Sequence, residues 1–477
     1  MAQSGLDPSD WGATRAQGHR MLDDLFDHLE SLRQQPVWRP IPDAARAALR
    51  EALPAEPGDL AQTHARFMRE VIPFAGGNLN PGFMGWVQGA GTPVGMLAEM
   101  LAGGLNANLG GRDHMPIELE RTVVGWMREL FGFPAGAGGL LVSGTSMANF
   151  IGVLVARQRA LGDSVRRGGV GGARLTAYTS TAAHGCVVRA MEMAGLGADA
   201  LRRIPTDADH RIDLGALAAA IEADRAAGAK PFLIVGNAGT VDAGAIDRLN
   251  ALADIAGQGD LHLHVDGAFG ALAVLAAGLK PRLRGIERAD SLAFDFHKWA
   301  HVPYDAGCIL VRDGALQRAS FAADATYLQR EDRGLAGGDW WPCDDGPELS
   351  RGFRALKVWF TLKVLGADAI GAAIARNCHL AERLATRIAA QPKLELMAPV
   401  GLSIVCFRYA CADANRVNRA IVADLQEEGR VAPSLTSVGG EAVIRAALFN
   451  HRTDESDLDA LIEGVLARGD ARVRGQA

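Results

Sequence analysis

The chain has 477 residues, 48% hydrophobic and 22% charged, with 49 Lys and Arg against 55 Asp and Glu. That length predicts about three domains and a large buried core, and the composition excludes long disorder. A net charge of −6 argues against a nucleic-acid binder, which would show a basic stripe.

The segment Met1–Asp10 carries acids and no apolar core, so no signal peptide is read there. Residues 15–33 place Met21, Leu22, Leu25, Phe26, Leu29 and Leu32 at helical spacing. Pro36, Pro40 and Pro42 break the chain, and further helices are predicted at Ala44–Ala52 and Leu60–Val71. These helices bury little alone and are expected to pack on the body or on a second subunit.

The middle of the chain alternates β-type runs with Ala-rich helices. Strands are predicted at Leu140–Val142, Leu175–Thr179, Phe232–Gly236, Leu261–Val265, Ser291–Asp295 and Gly307–Val311. Helices are predicted at Ser146–Arg159, Gly185–Ala194 and Ile246–Ala256. Such alternation predicts an α/β sandwich around a mostly parallel sheet. The apolar stretch Gly270–Leu279 is too short to span a membrane. After Gly346 a long helical stretch runs from about Arg351 to Ala390. Strands at Ile404–Tyr409 and Val443–Leu448 flank a helix at Ala412–Glu428, and a last helix comes at Glu455–Ala467.

Glycine is abundant, 57 residues, and aperiodic. It points to tight turns and close backbone approaches rather than collagen or linkers. The six cysteines, Cys186, Cys308, Cys343, Cys378, Cys406 and Cys411, show no CxxC spacing. Reduced thiols in a cytosolic protein are expected.

Four local signals carry chemistry. Asp295-Phe296-His297-Lys298-Trp299 comes directly after an apolar strand. A lysine there can form a Schiff base with an aldehyde, although an exposed loop lysine is the competing reading. In Leu261-His262-Leu263-His264-Val265-Asp266 the two histidines and the aspartate share one strand face. A metal site is discounted because no further ligand is suggested. An acid 32 residues before Lys298 fits pyridoxal phosphate (PLP), whose aldehyde needs a lysine and whose pyridine nitrogen needs an aspartate. Ser143-Gly144-Thr145-Ser146 lies between strand and helix, where a phosphate can dock or Thr145 or Ser146 can simply cap the helix. His184 comes after another strand end, where ligands gather in open α/β sheets. A lone histidine is also often structural.

In order and spacing these motifs resemble the group II PLP-dependent amino-acid decarboxylases, which include aromatic-L-amino-acid and glutamate decarboxylases. The resemblance spans nearly the whole chain. It rests on Asn80-Pro81-Gly82-Phe83, Glu118-Leu119-Glu120, His264-Val265-Asp266, His297-Lys298-Trp299, Thr326-Tyr327-Leu328 and Gly352-Phe353-Arg354-Ala355-Leu356-Lys357-Val358-Trp359-Phe360.

The resemblance implies a fold-type I, aspartate aminotransferase-like enzyme. It would comprise an N-terminal helical arm (1–85), a large PLP domain (86–355) and a small α+β C-terminal domain (356–477). Lys298 would hold PLP and Asp266 would pair with its pyridine nitrogen. His184 and Ala268 would cover opposite ring faces. Thr145, Ser146 and His297 would bind the phosphate, and Thr240 would lie near the ring hydroxyl. Tyr327 would protonate the substrate carbon from a mobile loop. For Tyr327, an ordinary loop tyrosine is the competing reading.

Two positions depart from the pattern. Relatives often carry His where Asn80 stands and Asn where Asp295 stands. Phe83 and Trp86 favour an aromatic or apolar substrate. Arg112 and His114 either recognise a polar or acidic group or form a structural ion pair with Asp113.

The expected activity is α-decarboxylation of an L-amino acid, aromatic first, to the amine and CO2. Alternatives are an acidic, polar or phosphonate-bearing substrate, or an aldehyde synthase or aminotransferase. A dinucleotide-dependent oxidoreductase is weaker, since no G-x-G-x-x-G comes after the first strand. The expected partners are a small-molecule substrate and a second copy of the chain. Neither nucleic acid, membrane nor metal is expected, and the location is expected to be cytoplasmic.

Overall fold

The computed structural model describes residues 5–322 and 330–475. The described strands are β1 (Phe83–Met84), β2 (Gly138–Val142), β3 (Leu175–Ser180), β4 (Leu201–Ile204), β5 (Lys230–Asn237), β6 (His262–Asp266), β7 (Ser291–Asp295), β8 (Gly307–Val311), β9 (Leu394–Leu396), β10 (Ile404–Tyr409), β11 (Ala432–Val438) and β12 (Glu441–Ala447). They form a seven-stranded sheet of order β2-β8-β7-β6-β5-β3-β4 and a five-stranded sheet of order β1-β11-β12-β10-β9.

In the large sheet the pairings from β7 through β6, β5 and β3 to β4 are parallel. Strand β8 runs antiparallel to both β2 and β7. This is the expected fold-type I arrangement, a mostly parallel sheet between helices. The strands read as continuous apolar runs because both faces are covered. In β5, Leu233 and Val235 pack with Val153 and Ala156 of the helix Thr145–Leu161. Between them, Ile234 packs with Leu249 and Leu252 of the helix Leu249–Gly259. Alternate residues thus bury on opposite faces.

The small sheet is antiparallel except where β1 lies parallel to β11. Its core holds Phe407, Ile444, Val417, Leu458 and Leu461. The pairing of Phe83 with Ala432 ties the N-terminal segment to the C-terminal sheet.

The structure departs from the sequence-based expectations in several elements. The helix expected across 351–390 is two, Arg354–Leu365 and Ala367–Ala389, meeting at 87°. Gly366 lies between them with φ +81°, a conformation that ends the first helix. Strands β1, β4, β9 and β11 and the helices Pro93–Leu105, Met115–Phe131, Leu214–Ala226 and Gly314–Phe321 were not predicted. Among the described residues, no single helix is long and apolar enough to cross a membrane.

The strand order brings three chain ends to one edge. Strand β6 ends at Asp266 and β7 at Asp295, and the two strands are neighbours. Strand β2 runs in the same direction as β7, since both oppose β8, so Ser143–Thr145 emerges at the same edge. Ligands of open α/β sheets gather at such carboxyl ends.

Candidate active site

A cavity of about 490 Å³ opens at this edge. Its wall includes Ser143–Ser146, His184, Asp266, Ala268, His297 and Lys298. A second cavity of about 460 Å³ lies among the N-terminal helices and the 75–80 segment. Its lining contains no lysine, so the carbonyl chemistry expected here belongs to the first.

Lys298 sits in the short helix Phe296–Trp299, directly after β7. Its side chain is 22% exposed, with Nζ 3.3 Å from Oδ2 of Asp295. The loop bearing Trp86 lies against this segment. A side chain at Gly89 would collide with the carbonyls of His297 and Lys298, so only glycine permits that approach.

Asp266 is 5% exposed and held by two donors. Asn149 Nδ2 donates to Oδ2 at 2.9 Å, and the Ala268 amide donates to Oδ1 at 3.1 Å. The Cys186 thiol also faces Oδ2, at 3.9 Å. Burial, reinforced by the Asp266 charge, pushes that thiol up to about 12. Behind Asp266 the polar strand face continues. His264 Nε2 bonds Asn149 Oδ1 at 2.8 Å, and both His264 and His262 bond the Ser291 hydroxyl, at 2.7 and 2.8 Å. Burial drives both imidazoles down to about 3. They are therefore neutral across the physiological range.

At the helix Thr145–Leu161 the capping position is Gly144, which has no side chain to offer. Thr145 Oγ1 is buried there without a hydrogen-bond partner among the described residues, and Ser146 is exposed beside it. His297 is buried and accepts the Ala306 amide at Nδ1, 3.1 Å. Nε2 then carries the hydrogen and faces Oδ2 of Asp295 at 3.5 Å. Burial lowers the His297 pKa. Tyr304 stacks on His297 at 4.3 Å between centroids. Burial, with the Asp295 charge, raises the Tyr304 hydroxyl to about 12. His184 is exposed on the cavity wall, and its Nδ1 accepts the Cys186 amide at 3.2 Å.

Other expected residues lie elsewhere. Thr240 is set back between the lining residues Gly239 and Val241, and its hydroxyl accepts the Ala245 amide at 3.0 Å. Phe83 is absent from the wall because it packs with Val37 and Ala432, although its neighbour Trp86 reaches the cavity. Neither Arg112 nor His114 lines it in a single chain. The Arg112 guanidinium stacks 4.6 Å from the Trp341 ring centroid rather than pairing with Asp113. His114 stands at the start of the helix Met115–Phe131. Tyr327 lies outside the described residues.

Arg445 on β12 is a wall residue that sequence reasoning missed. It donates to the Val241 carbonyl at 2.7 Å and the Gly85 carbonyl at 3.1 Å, while its Nε is buried without a partner. The available signal was an arginine inside the apolar run Val443–Ala447.

The sequence profile described as the pyridoxal-dependent decarboxylase conserved domain matches residues 42–410. The chain belongs to this family. The decarboxylase is 36% identical to an aromatic-L-amino-acid decarboxylase of Bacillus atrophaeus over 456 residues, 93% of each chain. It is 30% identical to a histidine decarboxylase of Drosophila melanogaster over 468 residues, 94% of this chain and 54% of that one. A crystal structure of Oryza sativa TDC with PLP and tryptamine superposes with a TM-score of 0.90. It covers 98% of this decarboxylase and 100% of that chain at 24% identity, which shows the shared fold. The protein is thus a PLP-dependent amino-acid decarboxylase, a lyase of fold-type I. Its cavity residues fit the cofactor: an amine on the wall, an aspartate with two fixed donors, and an unpartnered hydroxyl at a helix N-terminus.

Proposed function

We propose that the decarboxylase converts an aromatic L-amino acid to the corresponding amine and CO2. The observation that carries this reading is the convergence of Lys298 and Asp266 on a cavity whose wall also holds Trp86 and Phe269. The exposed Trp86 ring, with Phe269 packed behind the wall on Trp299 and Phe449, suits a flat apolar side chain.

When bound, PLP draws electrons from the bond that breaks at the substrate Cα. Lys298 would supply the amine that holds the cofactor. Asp266 would keep a proton on the pyridine nitrogen, and the Asn149 and Ala268 donors fix its two oxygens. His184 and Ala268 would cover opposite ring faces. Thr145, Ser146 and His297 would hold the phosphate, with Thr240 supporting the wall on the ring-hydroxyl side. Tyr327 would return a proton to Cα.

A second reading, an acidic, polar or phosphonate-bearing amino acid, is favoured by Arg445, whose buried Nε has no partner among the described residues. Arg112 and His114 would act in such recognition only if a second copy of the chain presents them.

A homodimer in the cytoplasm is proposed as well. So is the division into an arm (1–85), a PLP domain (86–355) and a C-terminal domain (356–477); the two separate sheets support the last two, and β1 joins the arm to the C-terminal sheet.

The test is a panel of aromatic, acidic, polar and phosphonate-bearing L-amino acids scored for CO2, amine, aldehyde and peroxide. The expected result is amine and CO2 in equal amounts from an aromatic substrate. Turnover of acidic substrates alone would replace the first reading with the second. Aldehyde and peroxide would make the chain an oxidising synthase.

A further inference from the structure

Cys186 is a cavity-wall residue without a task in the decarboxylation chemistry, yet it touches both His184 and Asp266. It opens the helix Cys186–Met193, whose buried face, Val187, Ala190 and Met191, packs with Val153 and Leu233. Its backbone N–H donates to His184 Nδ1 at 3.2 Å. In the neutral His184 ring the hydrogen is therefore on Nε2. Its thiol lies 3.2 Å from Asn149 Nδ2 and 3.9 Å from Asp266 Oδ2. Three elements thus bring a carboxamide, a thiol and a carboxylate together: the helix Thr145–Leu161, the helix Cys186–Met193 and β6.

The groups themselves fix the direction of these hydrogen bonds. The Asp266 carboxylate only accepts, so Asn149 presents its nitrogen to it and its oxygen to His264 Nε2. One hydrogen of Asn149 Nδ2 goes to Asp266 Oδ2 at 2.9 Å, and the other meets the Cys186 sulfur. A sulfur that accepts from Asn149 keeps its own hydrogen to give, and Oδ2 is the acceptor within reach. Burial, reinforced by the Asp266 charge, pushes the thiol up to about 12, so that hydrogen is retained. The bond is long and weak, as thiol bonds are. A carboxylate offers about four acceptor positions, two on each oxygen. On Oδ2 both are taken, by Asn149 and Cys186; on Oδ1 one is taken, by the Ala268 amide. Among the described residues, the position left open is on Oδ1.

We propose that Cys186 is a positioning residue for Asp266: its thiol closes the Asn149–Asp266 contact, occupies Oδ2 and leaves Oδ1 to receive the N–H of the cofactor's pyridine ring. This rests on the reading that Asp266 pairs with the ring nitrogen. Without the thiol, Oδ2 regains an open position and the second Asn149 hydrogen loses its acceptor. The carboxylate then turns between two orientations and holds the ring N–H less firmly.

The experiment loads the enzyme with PLP carrying a spin-active nitrogen isotope in its ring. The ring-nitrogen NMR signal and the PLP affinity are measured in wild type, Cys186→Val, Cys186→Ala and Cys186→Ser. Valine is close to cysteine in volume but neither donates nor accepts, whereas serine does both. In Cys186→Val the signal moves toward that of unprotonated pyridine, the PLP dissociation constant rises about three- to tenfold, and kcat falls with KM unchanged. Cys186→Ala does the same, and Cys186→Ser stays near wild type. In a crystal structure of the wild-type holoenzyme the ring nitrogen lies on Oδ1 and the thiol on Oδ2.

A ring nitrogen on Oδ2 in that crystal structure overturns the proposal, however the variants fold. A Cys186→Val enzyme with the wild-type signal and affinity does so too, as does a Cys186→Ser enzyme perturbed as much as Cys186→Val. Asp266→Asn tells the two readings apart. A wild-type signal in that variant removes the pairing of Asp266 with the ring, and the proposal with it. A shifted signal there, beside an unshifted one in Cys186→Val, removes the proposal alone.

Discussion

Asn149 bridges His264 and Asp266: its amide donates to Asp266 Oδ2 at 2.9 Å while its carbonyl oxygen bonds His264 Nε2 at 2.8 Å. With Nε2 as donor, His264 Nδ1 must accept from Ser291, and Ser291 in turn accepts from His262 Nε2. A directed chain of neutral groups therefore ends on the aspartate expected to meet the cofactor. Asn149→Leu removes one donor from Asp266 and strands the His264 N–H in a buried site. The expected cost is roughly 1–3 kcal/mol of stability, with weaker PLP binding. Denaturant unfolding and PLP titration check both, and an unchanged PLP affinity would show that Asp266 does not need this donor.

The buried imidazoles make stability pH-dependent. His262 and His264 are held down to about 3 and His451 to about 4, by burial first. His301 is pushed well below its ordinary value of 6.5 for the same reason. In the unfolded chain they protonate near 6.5, so the unfolded state binds more protons below that pH. Stability is fully present above about pH 6.5. It is lost as pH falls from there toward 3, at roughly 1 kcal/mol per pH unit for each ring. Urea unfolding between pH 7 and 5 should show this slope, and His264→Gln should reduce it.

Glu120 and Arg351 form a fully buried ion pair at 2.5 Å, both side chains 0% exposed. Glu120 also accepts the Leu141 amide at 3.1 Å, and Arg351 donates to the Leu109 carbonyl at 3.0 Å. The pair thus ties β2, which leads to the Thr145 corner, to the start of the C-terminal helices. Arg351→Met leaves a buried carboxylate alone, and the expected loss is about 3–5 kcal/mol. In a double-mutant cycle with Glu120→Gln the combined loss should fall well short of the sum.

Gly89→Ala places a methyl against the carbonyls of His297 and Lys298. Neither carbonyl can move without shifting the lysine, so the Trp86 loop must retreat. PLP affinity and kcat/KM are expected to drop together, by about tenfold or more. A crystal structure of the variant with PLP bound would locate the displaced loop.

Lys298→Ala should abolish the visible absorbance of the holoenzyme and its turnover. Retained turnover in the purified variant would sink the assignment of this lysine. Tyr327→Phe separates two readings of that residue. Aldehyde and peroxide in place of amine support proton return by the hydroxyl, whereas unchanged amine formation removes it from the mechanism.

Much of the site is readable in the sequence because its residues stand where an apolar run stops. In β6, Leu263 and Val265 alternate with two histidines before Asp266, and the apolar Leu292–Phe294 of β7 leads into the Asp295–Lys298 segment. Arg445 is marked in the sequence only as an arginine inside an apolar strand. Its place on the cavity depends on carbonyls from the distant residues Gly85 and Val241. Strand β11, Ala432–Val438, is equally hidden, because its weak alternation is completed only by pairing with β1 and β12. Phe83 reads as a pocket residue because it is aromatic and near Trp86, but the β1–β11 pairing turns it toward Val37.

The sequence by itself determined the family, the cofactor and the type of reaction. Those rest on local motifs, and their chemistry requires particular side chains at strand ends. Only the tertiary structure decided which side chains share a wall. Convergence depends on strand order and register, which join residues more than 100 positions apart, as Asn149 joins Asp266 and Thr145 joins Asp295. It also gave Asp295 its meaning. In the sequence it is an unexpected acid beside a lysine. In the fold it is a buried carboxylate that holds the amide a phosphate would take.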